Sequence, residues 1–275
     1  MSRGLRCFRS LWGSPSALKL ASDSTVGSTS GSYASQLLLH IKRQGFDGIE
    51  ASLGDLEALG GVNLVLPLLE ENELQLIVGI YSGWVDYESQ NLHQQFEGVE
   101  SHVHRFRQQL ETVSSFNQRP VHINAHSGSD HWSFKEQTEF LSRVHEMERQ
   151  LGVEDILAHE THRGRMFYSP WPTLKLLQAF PSLKLTLDFS HWCVVTERLL
   201  DTPQDEEWLK KIVPRIRHVH GRVGTEQAAQ LQYPLDEDLS HNEVERFQRL
   251  WDAIWIEQGT KTDKCSTFTP EYGPI

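Results

Sequence analysis

Short aliphatic runs alternate with amphipathic helical segments along almost the whole chain, and this alternation restricts the fold more than any other feature of the sequence. Parallel strands need a crossover of a dozen or more residues, usually a helix, so a repeated strand–helix order implies a parallel sheet with helices outside it. The helical half is the easier to read. Between Ser89 and Ser115, Phe96, Val99, Val103, Phe106, Leu110 and Val113 recur at three- and four-residue steps and form one apolar face. Ser133 with Glu136 forms a capping box that opens a helix carrying Phe140, Val144, Met147 and Leu151, and Gly152 stops it. Thr202-Pro203 opens a helix through Leu209 and Ile212. Ser240 with Glu243 opens another, carrying Val244, Phe247, Trp251 and Ile254 and closed by Gly259.

Between these helices lie the strand-like runs Gly48–Ala51, Leu76–Tyr81, Val121–His126, Ile156–Glu160, Leu183–Asp188, Ile216–His220 and Ser266–Glu271, and Leu5–Trp12 makes eight. Eight β/α repeats without a break in composition point to a single α/β domain over residues 1–275, a (β/α)8 TIM barrel. A doubly wound open sheet is the alternative. Because the chain stops four residues after Glu271, the eighth helix is expected to be missing. The Ser/Gly/Thr-rich segment 14–32 is expected to be a flexible loop. The basic, serine-rich start, with no acid before Asp23, has the composition of a mitochondrial transit peptide. Reading Leu5–Trp12 as the first strand keeps those residues in the barrel and favours a cytoplasmic protein.

Composition excludes several classes. Lys and Arg number 26 against 37 Asp and Glu, a formal net charge of −11, which argues against binding by phosphate neutralisation; no nucleic-acid partner is expected. Cys7, Cys193 and Cys265 are widely spaced and form no C-x-x-C pair, so neither a disulfide framework nor a structural zinc site is indicated. The longest apolar stretch, Val62 to Leu69, is too short to span a membrane. A homo-oligomer is left open.

Catalytic groups of such barrels sit at the C-terminal ends of the strands. Four consecutive predicted strands carry a metal-competent side chain there: Glu160, Asp188, His218 and Glu271. Pleat alternation puts Glu160 on the face shared by Ile156 and Ala158, and Asp188 on the face opposite Leu183, Leu185 and Leu187. Carboxylates converging in a low-dielectric mouth are costly unless a cation compensates them. Three carboxylates and one imidazole suit one divalent ion, Mn²⁺, Mg²⁺ or Co²⁺, with Zn²⁺ also compatible. His220 shares the inward face with His218, and His218 is taken as the ligand. Glu160 and Glu271 facing opposite sides of a bound carbon could remove and return a proton through an enediolate, the chemistry of aldose–ketose isomerisation or epimerisation. His191 and Arg222, just beyond the strand ends, are candidates for substrate hydroxyls, and His126, Trp12, Tyr81 and Trp84 for the pocket wall. Arg163 and Arg165 leave a phosphorylated substrate open.

The segments FRSLWG, GFDGIEA, HETHRGR, LDFSH, HVHGRVG and TPEYGP together resemble the xylose isomerase-like TIM-barrel superfamily, in particular its sugar isomerase/epimerase branch that includes D-tagatose 3-epimerase. The resemblance implies a metal held by Glu160, Asp188, His218 and Glu271, an acid/base pair of Glu160 and Glu271, a small sugar as substrate, and His191 on a substrate hydroxyl. The chain departs from that pattern in the spacing of Arg222 and in having no acid between Glu160 and Asp188. Two other readings remain: an endonuclease IV-type abasic-site nuclease, which needs more histidines and about three zinc ions, and a non-catalytic truncated barrel.

Overall fold

The computed structural model describes residues 4–12, 30–84, 96–232, 237–261 and 266–271. Eight parallel strands close into a barrel in chain order: β1 (Leu5–Ser10), β2 (Gly48–Ser52), β3 (Gln75–Tyr81), β4 (His122–His126), β5 (Leu157–Glu160), β6 (Leu185–Asp188), β7 (Ile216–His220) and β8 (Ser266–Thr269). The closing contact pairs Leu5 with Ser266 and Cys7 with Phe268. Around it run α1 (Ser30–Arg43), α2 (Leu53–Ala58), α3 (Val62–Glu71), α4 (Val99–Ser114), α5 (Phe134–Leu151), α6 (Pro170–Ala179), α7 (Phe189–Thr196), α8 (Pro203–Ile212) and α9 (Glu237–Lys261). Closure excludes the open doubly wound sheet.

The pleat divides each strand between two cores. Ile49, Val78, Ile80, Ile123, Leu185, Leu187 and Val219 are buried in the apolar layer between strands and helices. The alternate positions fill the barrel: Phe8 and Ile77 low down, with His122, Thr186 and His218 among the buried polar groups. Gly48 is required where β2 meets its neighbours, because a Cβ there would stand 2.2 Å from the Gln75 carbonyl oxygen and 2.6 Å from the Phe8 ring.

Local signals fixed several helix ends where they were expected. The Ser133–Glu136 box opens α5, and Gly152, in the left-handed conformation at φ 63°, closes it. Thr202 caps α8 reciprocally with Asp205. Three helices differ from expectation. The helix over 89–115 begins at Val99, with Phe96 outside it and 60% exposed; residues 85–95 lie outside the described set. α9 starts three residues before Ser240 and runs through Gly259, which is not among the glycines with positive φ and so does not act as a stop. Ser30–Ser32, expected in a loop, form the first turn of α1; the rest of that segment, 14–29, and the residues after 271 where an eighth helix was expected to be missing, lie outside the described residues. No helix among the described residues is long and apolar enough to cross a membrane.

Candidate functional site

The C-terminal ends of the strands open into a cavity whose lining includes Trp12, Glu50, Tyr81, His126, Glu160, His162, His220, Arg222 and Glu271. Glu160 ends β5 and Asp188 ends β6, both essentially without exposure. Asp188 is also the N-cap of α7: its Oδ1 accepts from the Ser190 amide at 3.0 Å and the Ser190 hydroxyl at 2.5 Å, leaving Oδ2 toward the cavity. Arg222 donates to Asp188 Oδ2 at 2.6 Å and stands 3.2 Å from Glu271 Oε2. Its guanidinium lies 5.6 Å from the Trp12 ring centroid. His191, on the first turn of α7, has Nε2 3.1 Å from Arg222 and 3.4 Å from Asp188 Oδ2.

The histidine brought to these carboxylates is His220. Its Nδ1 lies 3.4 Å from Glu271 Oε1 and 3.7 Å from Glu160 Oε1, and Asp188, His220 and Glu271 offer ligand atoms within 4.8 Å of one another. His218, expected to join them, stands one pleat lower. A register shift between Leu185 and Thr186 sets His218 beside Thr186 and His220 beside Asp188, so only His220 is level with the acid. The rule that picked out Glu160 and Asp188, the last residue of the strand, selects His220 when applied to Ile216–His220. His218 is instead enclosed, its Nδ1 2.8 Å from the Thr267 hydroxyl and its Nε2 3.0 Å from that of Thr269.

Glu50 links the two histidines. It projects inward from β2, with Oε1 accepting from His220 Nε2 at 2.9 Å and Oε2 3.3 Å from His218 Nε2. Because Nε2 of His220 carries the proton given to Glu50, Nδ1 is the atom presented to Glu271 and Glu160. That buried Nδ1 makes no hydrogen bond. Sequence reasoning passed over Glu50, although a lone acid inside an otherwise apolar buried strand requires a partner.

A second group lies on the β4–β5 side. His126 Nε2 is 2.7 Å from Glu160 Oε2, and the Asn124 amide donates to the same oxygen at 2.6 Å. The His162 ring centroid is 5.1 Å from that of His126 and 3.8 Å from that of His191. Tyr81 packs 4.7 Å from His126, and Trp84 carries the Arg165 guanidinium 3.6 Å above its ring. Thus Trp12, His126, His191 and Arg222 all surround Glu160, Asp188 and Glu271. Asn124 and His162 had no signal in a strand-end reading, since one is mid-strand and the other lies two residues beyond.

Burial and mutual charge drive the acids apart. Burial pushes Glu160 up, but the neighbouring His126 and His220 outweigh it and hold the carboxyl well below its usual range. Burial raises Glu271 to about 7, against the lowering effect of His220 and Arg222. His220 is pushed down by burial, yet the Glu271, Glu50 and Glu160 carboxylates carry it well above the ordinary imidazole value. Two buried carboxylates and the half-buried Glu271, an imidazole nitrogen with no hydrogen bond, and Glu50 orienting that imidazole from behind together fit a divalent cation.

No family model matches the chain, and no curated protein matches it. Solved structures do. A D-allulose 3-epimerase from Methylomonas sp. in complex with D-allulose is similar with a TM-score of 0.60 at 15% identity, over 98% of this chain and 85% of that one. A family 2 AP endonuclease from Brucella melitensis gives 0.60 at 13% identity, over 98% and 93%. A xylose isomerase-like TIM barrel protein from Mycobacterium smegmatis in complex with magnesium gives 0.51 at 14% identity, over 90% and 84%. With its closed eight-stranded parallel barrel, the chain has the fold of the xylose isomerase-like TIM barrels.

Proposed function

We propose that this chain is a divalent-cation-dependent isomerase or epimerase of a small sugar or related hydroxy-carbonyl compound. The observation that carries the reading is the pair Glu160 and Glu271, both within reach of His220 Nδ1, with the first carboxyl held below and the second raised above the ordinary carboxylate range by their surroundings. Two carboxyl groups whose environments push their proton affinities apart are suited to act as base and acid on one substrate.

Glu160, Asp188, His220 and Glu271 would hold the cation, which when bound polarises a substrate carbonyl and acidifies the adjacent C–H. Glu160, ionised, takes the proton from one face. Glu271, whose carboxyl burial raises, returns one from the other. Arg222 and His191, joined at 3.1 Å beside Asp188, are placed to fix substrate hydroxyls, and the Trp12 ring offers an apolar wall to the C–H face of a sugar. The magnesium in the Mycobacterium smegmatis neighbour and the D-allulose in the Methylomonas sp. neighbour support this choice of cofactor and substrate class.

Glu160→Gln preserves side-chain volume and removes the base. With D-allulose and related ketoses as trial substrates, it is expected to lower kcat by about 10²–10⁴-fold while the melting temperature stays near that of the parent protein. Near-normal turnover in this variant would contradict the mechanism.

A further inference from the structure

We propose that the N-terminal end of the barrel, opposite the strand-end pocket, carries a separate site for a phosphate dianion, free or esterified to a small metabolite, held by Arg149, Lys184, Arg215 and Arg217.

A cavity opens there between the second half of α5, the turn that precedes β6 and the start of β7, and its lining includes His145, Arg149, Ser182, Lys184, Arg215 and Arg217. It shares no residue with the strand-end pocket. Catalytic groups of such barrels gather at the C-terminal ends of the strands, so this cavity lies away from the reaction site. The chain as a whole is acidic, with a formal net charge of −11. Here the balance reverses. Two carboxylates, Glu148 and Glu154, line the cavity beside four cations, which leaves two positive charges, the amount that a phosphate dianion offsets. Glu148 is turned to His159, with Oε1 3.6 Å from Nε2. Arg149 pairs with Glu146 in an exposed contact that solvent screens.

Backbone oxygens, not acids, hold the inner cations in place. Arg215 donates to the carbonyl oxygens of Pro181 and Leu177, the latter at 3.3 Å, and Lys184 donates to that of Glu154. Arg217 bonds only through Nη1, to the carbonyl oxygens of Pro214 at 3.4 Å and Ile216 at 3.2 Å. Among the described residues no carboxylate forms an ion pair with Arg215 or Arg217. Both guanidiniums are half-buried. Burial lowers the proton affinity of each, Arg215 lowers that of Arg217 further, and no acid opposes either effect. Arg222 shows the contrast, because Asp188 and Glu271 raise it in spite of burial. A guanidinium keeps its charge in proteins, so two like charges stand together here uncompensated, at a cost that a bound anion would remove.

The donor set selects the ligand. Guanidinium forks bind phosphate oxygens in pairs, and a lysine ammonium adds a point charge. Nε and Nη2 of Arg217 remain available for such a pair. Ser182, whose hydroxyl lies 3.1 Å from His145 Nε2, adds a further polar group to the cavity wall.

The test is titration calorimetry of the full, metal-free chain with inorganic phosphate and with glucose 6-phosphate, in about 0.15 M sodium chloride to screen general ionic attraction. At least one of the two is expected to bind with Kd below about 1 mM, and the tighter of them tells whether the free or the esterified form is preferred. Arg217→Gln should weaken that binding by about tenfold or more, whereas Arg222→Gln, at the other end of the barrel, should leave it unchanged. Binding weaker than about 1 mM by both probes overturns the proposal. So does binding that Arg217→Gln leaves intact, or binding that Arg222→Gln abolishes, which would put the anion in the strand-end pocket. Should Arg217→Gln fail to fold, Arg149→Glu, on the exposed side of α5, takes its place: it sets a negative charge against the anion and is expected to weaken binding, and unchanged affinity in it overturns the site.

Discussion

Glu50 decides which nitrogen His220 shows to the cavity. Its Oε1 accepts from Nε2 at 2.9 Å, so Nδ1 is the nitrogen turned to the cavity, 3.4 Å from Glu271. Burial raises the Glu50 carboxyl, but His220 and then His218 outweigh it and keep it ionised. Such carboxylate–histidine pairs behind a metal typically contribute 10- to 100-fold to its affinity. Glu50→Gln, equal in volume but uncharged, is therefore expected to weaken Mn²⁺ binding by about 10–100-fold in titration calorimetry, with the fold retained. Unchanged affinity would show that Glu50 serves packing alone. At this scale the sequence was partly legible. Glu160 and Asp188 announce themselves because each is a lone acid ending an apolar strand with the right parity. His218 and His220 share that parity; the strand-end position singles out His220, and the register of β7 against β6 sets it level with Asp188. Register depends on contacts with the neighbouring strand and leaves no mark in a single segment.

The elements owe their placement to local chemistry at their ends and to close approach at their middles. Capping boxes at Ser133 and Thr202 involve residues three apart, so they can be read directly from the chain, and α5 and α8 begin where they dictate. Gly259 could not be read in this way, because whether a glycine ends a helix depends on a conformation set by what packs around it. Gly48 is a sharper case. Its lack of a side chain lets β2 lie against Gln75 of β3 and the Phe8 ring of β1, and two residues later the same strand delivers Glu50. Gly48→Ala is expected to cost about 1–3 kcal/mol in urea unfolding, as over-packing does elsewhere. A loss below about 0.5 kcal/mol would mean that β2 can shift freely, and that the position of Glu50 is not fixed by this contact.

Across the whole molecule, the buried imidazoles set the response to acid. Burial above all holds His122, His159, His162, His191 and His218 below the ordinary histidine value. The unfolded chain takes up protons at these five positions as pH falls through about 6.5, whereas the native chain takes up few. Glu271 acts in the opposite sense, since at up to about pH 7 the native protein holds a proton there that the unfolded chain releases above about 4.5. Five depressed imidazoles outweigh Glu271 and His220, which hold their protons in the native state, so the unfolded chain is the greater proton binder between about pH 5 and 6.5 and stability falls as pH falls through that window. The melting temperature of the metal-free protein should be lower at about pH 5.5 than at about pH 7; the reverse order would show that Glu271 and its neighbours dominate. The eight-fold β/α repeat made the barrel legible from sequence, because each unit carries its own hydrophobic period. The pocket was less so, since it gathers single residues from β2, β4, β5, β6, β7 and the segment after β8. Proton transfer between Glu160, Glu271 and a carbon next to a carbonyl leaves a trace that binding or hydrolysis does not. Incubating the Mn²⁺-loaded protein in deuterium oxide with D-allulose and a panel of other ketoses, aldoses and cyclic hydroxy-ketones is expected to place deuterium on the carbon beside the carbonyl of at least one compound, and to place none when Glu160→Gln is used. Product formed without label, or label that persists in Glu160→Gln, would contradict the mechanism.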